Sequence, residues 1–331
     1  MNGSIRIVRA GPGETIQDSG RYGYLRYGIV ASGPMDWIAF GVANRALGNP
    51  ADAASIEISP AGIELVCEDA PLTVAFAGGS FTWERDGTRL PSAAVITLLP
   101  GESLRTRAGA WGTWTYLAVA GGIDVPPVLG SRSTYARFAI GGFEGRALRA
   151  DDVLHSRDGA REDIALGTLR TPLLERSSAP IRVVLGPQDD YFTSAARATF
   201  FSESYAISSR FDRMGYWLEG PKLTHEAGFD IVSDGIPLGA IQVPGSGQPV
   251  ILMADHQATG GYPKLGAVTR ADVGRFAQHR PGERVHFAPC AVDAAHRALR
   301  EVYAVLDETT VHASDEILGS SNLIGGVVDG S

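Results

Sequence analysis

The sequence predicts a mainly β protein with a few helices, and three observations support this. Glycine (41) and proline (19) are frequent among the 331 residues, which is typical of short elements joined by many turns. Short runs of β-branched and aromatic residues recur along the chain, each bounded by Gly, Pro or Asp. Strands do not alternate with long helical patterns, so a doubly wound parallel sheet is disfavoured.

The first half is predicted to hold five strands and one helix. The strands fall at residues 5–8, 62–66, 72–77, 95–99 and 114–120. The helix follows from apolar residues that share one helical face: Met35, Ile38, Ala39, Val42, Ala43 and Ala46. Gly33-Pro34 before this segment and Gly48-Asn49-Pro50 after it are suitable start and stop signals.

The second half repeats the β-rich pattern after a polar stretch at residues 158–180 that carries no clear period. Strands are predicted at 181–185, 229–232, 240–243, 250–253 and 285–288, with helices at 192–200 and 292–306. The polar stretch therefore predicts two domains, an N-terminal β-rich domain at 1–175 and a C-terminal β-rich domain at 176–331.

Charge and composition exclude several classes of function. The formal charge is −8, from 29 Lys+Arg and 37 Asp+Glu, and basic clusters are lacking, so no nucleic-acid partner is expected. No apolar run approaches the roughly 18 residues of a membrane span. Cys67 and Cys290 support no disulfide framework, so a reducing cytoplasm is expected.

The common nucleotide and metal motifs are missing as well. Neither G-x-x-x-x-G-K-[ST] nor a helix-opening G-x-G-x-x-G occurs, so ATP is not expected to bind this chain through a P-loop. His225-Glu226 begins an H-E-x-x-H pattern, but Phe229 occupies the position of the second histidine. No metal site is predicted.

Polar residues inside Gly-rich turns concentrate between residues 211 and 264, where apolar strands end. Lys264 and Asp255 are the catalytic candidates, because a lysine beside a carboxylate can orient and stabilise an anionic group. Arg213, Gln242 and His256 are candidates for substrate binding. Plain structural roles compete with each: an Asp212–Arg213 surface ion pair, a polar strand face at Gln242, and satisfaction of turn amides by residues 255–257.

Several long segments carry a resemblance to a known family. They include GETIQDSGRYGYLRYGIVASGPMD, LAVAGGIDVPPVLGSRSTYARFAIGGFEGRAL, IRVVLGPQDDYF, FDRMGYWLEG, GAIQVPGSGQPVILMADHQATGGYPKLGAV and the tail NLIGGVVD. Together they resemble the allophanate hydrolase subunit 2 family, also known as the biotin-dependent carboxyltransferase domain family or as the family of 5-oxoprolinase C subunits. The likeness runs from about residue 5 to residue 328.

The resemblance implies a fold of two β-rich halves with a cyclophilin-like barrel in the second. It also implies a partner of the subunit 1 (B subunit) family, with a third lactam-utilisation subunit as a further candidate. The first-choice activity is ATP-dependent opening of 5-oxoproline within a complex, with ATP bound by another chain. The alternatives are carboxyl transfer from biotin carried on a partner chain to urea or a related amide, and a non-catalytic regulatory role.

The same resemblance suggests roles for individual residues. Lys264 and the backbone amides of Gly260 and Gly261 would stabilise anionic oxygens, Gln242 and Gln257 would orient an amide, and Asp255 would fix Lys264 or the substrate. Asp255, Gln257, Tyr262 and Lys264 keep the family pattern, and Tyr262 is taken with the substrate-binding set. The sequence departs from the common pattern at Phe211, Trp217, His256 and Ala258, where the family often has Ser, Arg, Arg and Thr. These departures remove cations and a hydroxyl, which bears on the choice of substrate.

Overall fold

The computed structural model describes residues 3–312, and the tail motif at 322–329 lies outside them. The predicted mainly β class is confirmed. The described strands are β1 (Ser4–Ala10), β2 (Thr15–Gln17), β3 (Ser55–Ile58), β4 (Ile63–Cys67), β5 (Leu72–Arg85), β6 (Thr88–Leu90), β7 (Ala94–Leu98), β8 (Ser103–Val119), β9 (Val153–His155), β10 (Gly167–Arg170), β11 (Ile181–Leu185), β12 (Ser204–Phe211), β13 (Gly215–Glu219), β14 (Asp234–Gly235), β15 (Ala240–Gln242), β16 (Val250–Leu252), β17 (Thr259–Gly260), β18 (Lys264–Val268), β19 (Arg284–Pro289) and β20 (Thr310–His312). The described helices are α1 (Trp37–Ala46), α2 (Ser194–Ser202), α3 (Arg270–Ala277) and α4 (Val292–Asp307).

The first half forms an antiparallel sheet around one long strand pair. The main path runs β20-β10-β7-β5-β8-β4-β1-β9, and β2, β3 and β6 pair at its sides. Strands β5 and β8 are far longer than predicted, and their register shifts near Gly78. Gly78 has φ 153°, and a Cβ there would lie 2.5 Å from the backbone of Thr115, so the close strand approach requires glycine.

The second half forms the predicted barrel, closed by seven strands in the order β11-β18-β15-β16-β13-β12-β19. Side chains such as Ile241, Ile251 and Leu265 belong to the main core, whereas Ala240 and Gln242 alternate to the other face of β15. Ile236 packs on that other face. The β14–β17 pair (residues 234–235 and 259–260), which we call the strap, therefore lies over the outside of the barrel.

The two halves share one continuous hydrophobic core. It joins α1 and strands β5 and β8 of the first half to the barrel interior, α3 and α4 of the second. The chain also returns to the first sheet, because Thr310–His312 pairs with β10. The proposed boundary near residue 175 lies just beyond β10 and stays a prediction.

Two expectations about individual elements are corrected. Residues 229–232 form no strand, and Phe229 and Val232 are exposed, so this apolar run covers no core. Helix α3 has no clear signal in the sequence, because its eight residues are too few for a distinct helical period. Helix α1 begins at Trp37 after Asp36, whose carboxylate accepts the backbone N–H groups of Ile38 and Ala39.

Candidate functional site

Arg213 lies in the turn between β12 and β13 and reaches from the barrel into the first half. Its guanidinium makes two hydrogen bonds to the Asp255 carboxylate, at 2.8 and 3.0 Å, and one to the Gly33 carbonyl at 2.8 Å. It also pairs with the Glu57 carboxylate. The predicted alternative of an Asp212–Arg213 surface pair is wrong, because Asp212 instead accepts the backbone N–H groups of Met214 and Gly215.

Glu57 is fully buried in β3 and is held in place by hydrogen bonds. Its second carboxylate oxygen accepts the backbone N–H of Met35 at 2.8 Å and the hydroxyl of Tyr116 at 2.7 Å. The Tyr116 hydroxyl in turn accepts the backbone N–H of Asp36 at 2.8 Å. The α1 entry segment, β3, β8 and the barrel therefore meet at one ion network formed by Glu57, Arg213 and Asp255.

The electrostatics of this network are governed by burial and pairing. Burial raises the pKa of Glu57, and the facing Arg213 opposes that shift. Burial by itself would lower the pKa of Arg213, but the carboxylates of Asp255 and Glu57 outweigh it and the pKa is raised. Arg213 therefore keeps its charge, and breaking such a pair by removing one partner typically costs about 3–5 kcal/mol.

Lys264 begins β18 and belongs to a second polar cluster, under the strap. Its side chain is buried, and Nζ lies 3.2 Å from Asp234 Oδ2 in the strap. This ion pair lowers the pKa of Asp234. An ammonium group has three N–H donors and Asp234 engages it from one side, so Lys264 has N–H groups to spare among the described residues.

Gln188 and Gln242 complete this cluster. Gln188 donates to Asp234 Oδ2 at 3.1 Å and accepts the backbone N–H of Lys264 at 3.0 Å, so it ties the strap to the barrel. Gln242 pairs with Lys264 across β15 and β18 and is 4% exposed. Its Nε2 is buried without a hydrogen-bond partner in the described part of the chain. A buried, unpaired amide N–H beside an ammonium can donate a hydrogen bond to an oxygen of a ligand.

The remaining site candidates lie along the segment that joins the two clusters. His256 is buried and its Nδ1 lies 2.8 Å from the Gln257 carbonyl. The side chains of Gln257 and Tyr262 are exposed. Gly260 is in the strap, where a Cβ would come within 2.5 Å of Gln242 Nε2, and Gly261 follows it.

The structure thus arranges the predicted site residues in two groups at opposite ends of β15. Arg213 and Asp255 lie beyond the end marked by the Gly215–Leu252 pair. Gln242, Lys264 and Gly260 lie at the other end. Lys264 pairs with Asp234, and Asp255 pairs with Arg213, so the carboxylate that holds the lysine is one that the sequence did not single out.

Sequence reasoning passed over Glu57, Asp234 and Gln188. Glu57 carried a usable signal, since it is a lone carboxylate within the apolar strand Ser55–Ile58, whose residues are all buried. Asp234 and Gln188 carried none, because polar residues beside Gly and Pro are ordinary turn residues.

Membrane-spanning helices and metal-binding clusters are both absent from residues 3–312. No helix in that range is long and apolar enough to cross a membrane. No three His, Cys, Asp or Glu side chains converge there in the manner of a metal site.

Fold and site together define a class: a mainly β protein in which a large antiparallel sheet and a seven-stranded barrel meet at a buried ion network, with a lysine site under a strap. The carboxyltransferase domain family, subdomains A and B, matches residues 27–289. The chain belongs to this family, as the resemblance implied.

Relatives and solved structures agree with this assignment. The chain is 36% identical to the C subunit of 5-oxoprolinase from Escherichia coli over 304 residues, which cover 90% of this chain and 94% of that protein. It is 31% identical to the urea amidolyase of Saccharomyces cerevisiae, covering 95% of this chain but 18% of that protein. The crystal structure of Kluyveromyces lactis urea carboxylase superimposes with a TM-score of 0.85 at 28% identity, covering 95% of this chain and 30% of that one.

Proposed function

We propose that this chain is one component of a heteromeric, ATP-dependent enzyme that opens the ring of a small cyclic amide, as in a 5-oxoprolinase. The observation that carries the proposal is the similarity to the C subunit of the Escherichia coli 5-oxoprolinase, which extends over nearly the full length of both chains. The larger urea-processing relatives match this chain over only a fraction of their length.

The cluster under the strap would supply the hydrogen-bond donors that such a reaction needs from this chain. An amide carbonyl oxygen gains negative charge when the amide is attacked, and fixed N–H donors stabilise that charge. The Lys264 ammonium and Gln242 Nε2 are buried donors with capacity to spare. Asp234 and Gln188 would keep Lys264 in position, and the backbone amides of Gly260 and Gly261 would add donors. The exposed Gln257 and Tyr262 would contact substrate or partner from the rim.

The Arg213 network would act as support for this site. Asp255 is committed to Arg213 by two hydrogen bonds, so its role would be to fix the start of the segment that leads through His256 to the strap. The network also ties that segment to Glu57 in the first half.

In this proposal, other chains of the complex would carry out the remaining steps of the reaction. ATP would be bound by a partner protein. The partners would be a member of the subunit 1 (B subunit) family and a third lactam-utilisation subunit. We place the complex in the cytoplasm, where the free thiols of Cys67 and Cys290 would stay reduced.

A second function has its own support. The superposition on Kluyveromyces lactis urea carboxylase, which covers 95% of this chain, favours a carboxyltransferase component. In that case biotin would arrive on a partner chain, and the same buried donors would stabilise the oxygens of the group being transferred.

Reconstitution distinguishes these functions. The chain alone should not consume 5-oxoproline, whereas the chain with both partner subunits should form glutamate with ATP hydrolysis. Consumption of urea, bicarbonate and ATP only in the presence of a biotinylated partner would favour the carboxyltransferase function instead. Binding to a partner protein without either activity would leave the regulatory role.

A further inference from the structure

A separate cavity of about 330 Å³ lies beside the α1 entry segment. Its walls come from the loop at Ser19–Tyr22, from Pro34 and α1, from the start of α3 and from Tyr303 of α4. Four of the lining residues are aromatic: Tyr22, Trp37, Phe40 and Tyr303. The cavity shares no residue with the clusters around Arg213 and Lys264.

One cation in this cavity, Arg270, forms no ion pair with the part of the chain that the structure describes. The Arg270 guanidinium lies over the Trp37 ring, 4.9 Å from its centroid, and the indole N–H donates to the Arg270 carbonyl at 2.9 Å. Within residues 3–312, neither a carboxylate nor another side chain forms an ion pair or hydrogen bond with this guanidinium. Burial lowers the pKa of Arg270, but an arginine side chain stays protonated at neutral pH.

The other charged and amide side chains around the cavity are already engaged. Arg45 pairs with Asp307 at 3.1 Å. Asn49 donates to Asn44 at 2.9 Å, and both side chains make further hydrogen bonds within the protein. The nearby Asp36 carboxylate accepts from the first turn of α1 and from Gln278. Among residues 3–312, Arg270 is therefore the uncommitted charge of this cavity.

We propose that the cavity binds a small organic monocarboxylate with a flat, apolar body. The planar guanidinium matches a carboxylate with two parallel hydrogen bonds, and the aromatic walls would cover the body of the ligand. A single arginine balances one negative charge, whereas an inorganic phosphate would bring more charge than the cavity can match and would gain nothing from the aromatic walls. This proposal does not depend on the proposed function, because it concerns a different cavity and requires no partner.

Calorimetric titration of the purified full-length chain tests it, with benzoate as the probe and with benzamide and inorganic phosphate as comparisons. Benzamide has nearly the shape of benzoate without its charge. Benzoate should bind one per chain, with benzamide and phosphate about tenfold or more weaker, as expected for the loss of charge-assisted hydrogen bonds.

Two variants locate the binding. Arg270→Gln should weaken benzoate binding by about tenfold or more. Arg210→Gln is the matched control, because Arg210 also stacks on an indole, 4.1 Å from the Trp217 centroid, but is exposed and outside the cavity. Arg210→Gln should bind benzoate as the unmodified chain does.

The proposal is overturned if benzamide or phosphate binds as tightly as benzoate, if Arg210→Gln weakens binding as much as Arg270→Gln, or if millimolar benzoate does not bind. If Arg270→Gln does not fold, Tyr303→Ala decides, since Tyr303 is 44% exposed and its loss removes one wall. Unchanged benzoate affinity in Tyr303→Ala would then refute the site.

Discussion

Arg213 owes its role to residues that are distant in the sequence. Asp255 is 42 positions away and Glu57 is 156 positions away, yet both carboxylates contact the same guanidinium. A charged side chain that is 14% exposed is stable only when its partners neutralise it. Arg213 is therefore a structural link between the halves as well as a neighbour of the candidate site.

Removing the Arg213 guanidinium should destabilise the protein, and a second substitution at Glu57 should recover part of the lost stability. Arg213→Met leaves the Glu57 carboxylate buried and unpaired, so the free energy of unfolding should fall by about 3 kcal/mol or more. Adding Glu57→Gln removes the orphaned charge and should recover part of that loss. Urea denaturation of the two single variants and the double variant measures the coupling, and strictly additive effects would contradict this account.

Lys264 gives a second prediction at the same scale. The chain contains two lysines, and Lys222 is exposed, so Lys222→Met is a matched control. Lys264→Met should lower kcat of the reconstituted complex by about a hundredfold, the usual effect of losing a donor that stabilises developing charge. Lys222→Met should leave turnover unchanged. Normal turnover of Lys264→Met would remove this residue from the mechanism.

His256 should make stability depend on pH. Burial lowers the pKa of His256 below its ordinary value of 6.5, although the Gln257 carbonyl and Asp255 oppose the shift. As the pH falls below 6.5, the unfolded chain takes up a proton at His256 before the folded chain does. The folded state therefore has its full stability above pH 6.5 and loses part of it between pH 6.5 and the lower pKa of the folded chain. Urea denaturation across this range should show a weaker pH dependence for His256→Gln. An unchanged slope would contradict the shift.

At the scale of elements, the strap determines what surrounds Lys264. Its two strands pair Asp234 with Gly260. One strand therefore supplies the carboxylate that pairs with Lys264, and the other supplies a residue without a side chain. Gly260 does not need a positive φ. Glycine is required at this position for steric reasons, because a Cβ would come 2.5 Å from Gln242 Nε2 and 2.8 Å from Ile236 Cδ1.

Gly260→Ala therefore tests the position of the Gln242 amide. The new methyl group should push the flexible end of Gln242 away from Lys264, lowering turnover of the reconstituted complex while changing the unfolding free energy by about 1 kcal/mol or less. Gly261→Ala is the control, since its Cβ would meet nothing closer than 3.4 Å. Equal turnover in the two variants would show that the Gln242 position does not matter.

At the scale of the whole molecule, Gln278 joins the two halves through one side chain. Its carbonyl oxygen accepts the backbone N–H groups of Thr113 and Trp114 at 2.8 and 3.0 Å. Its amide donates to Asp36 at 2.7 Å and to the Trp114 carbonyl at 2.9 Å. All of these atoms are buried beside the continuous core.

We expect the halves to unfold together and Gln278→Leu to destabilise both. The substitution leaves buried N–H groups and the Asp36 carboxylate with fewer partners, at a cost of about 1–3 kcal/mol. Denaturation followed by tryptophan fluorescence and by far-UV circular dichroism should show one shared transition, shifted by the variant. Two separate transitions would show that the halves are independent domains.

Much of the fold followed from local patterns. The short apolar runs at β11, β15 and β16 and the apolar faces of α1 and α4 predicted these elements close to their observed positions. The lengths of β5 and β8 did not follow, because cross-strand pairing extends them through polar and Gly-rich segments. Residues 229–232 have strand-like composition, but the Ile231 N–H bonds the Gly261 carbonyl without a ladder forming, and Phe229 and Val232 have no buried surface to pack on.

The sequence by itself determined the chemical inventory of the candidate site: one lysine, two glutamines and paired glycines within a short, turn-rich stretch. Only the tertiary structure decided which groups meet, assigning Asp255 to Arg213 and Asp234 to Lys264. The reason is physical, since strand alternation and turn residues act over a few positions, whereas a buried charge is neutralised by whichever carboxylate the folded chain brings to it. That choice depends on barrel closure and on the contact between the two halves, which no local pattern encodes.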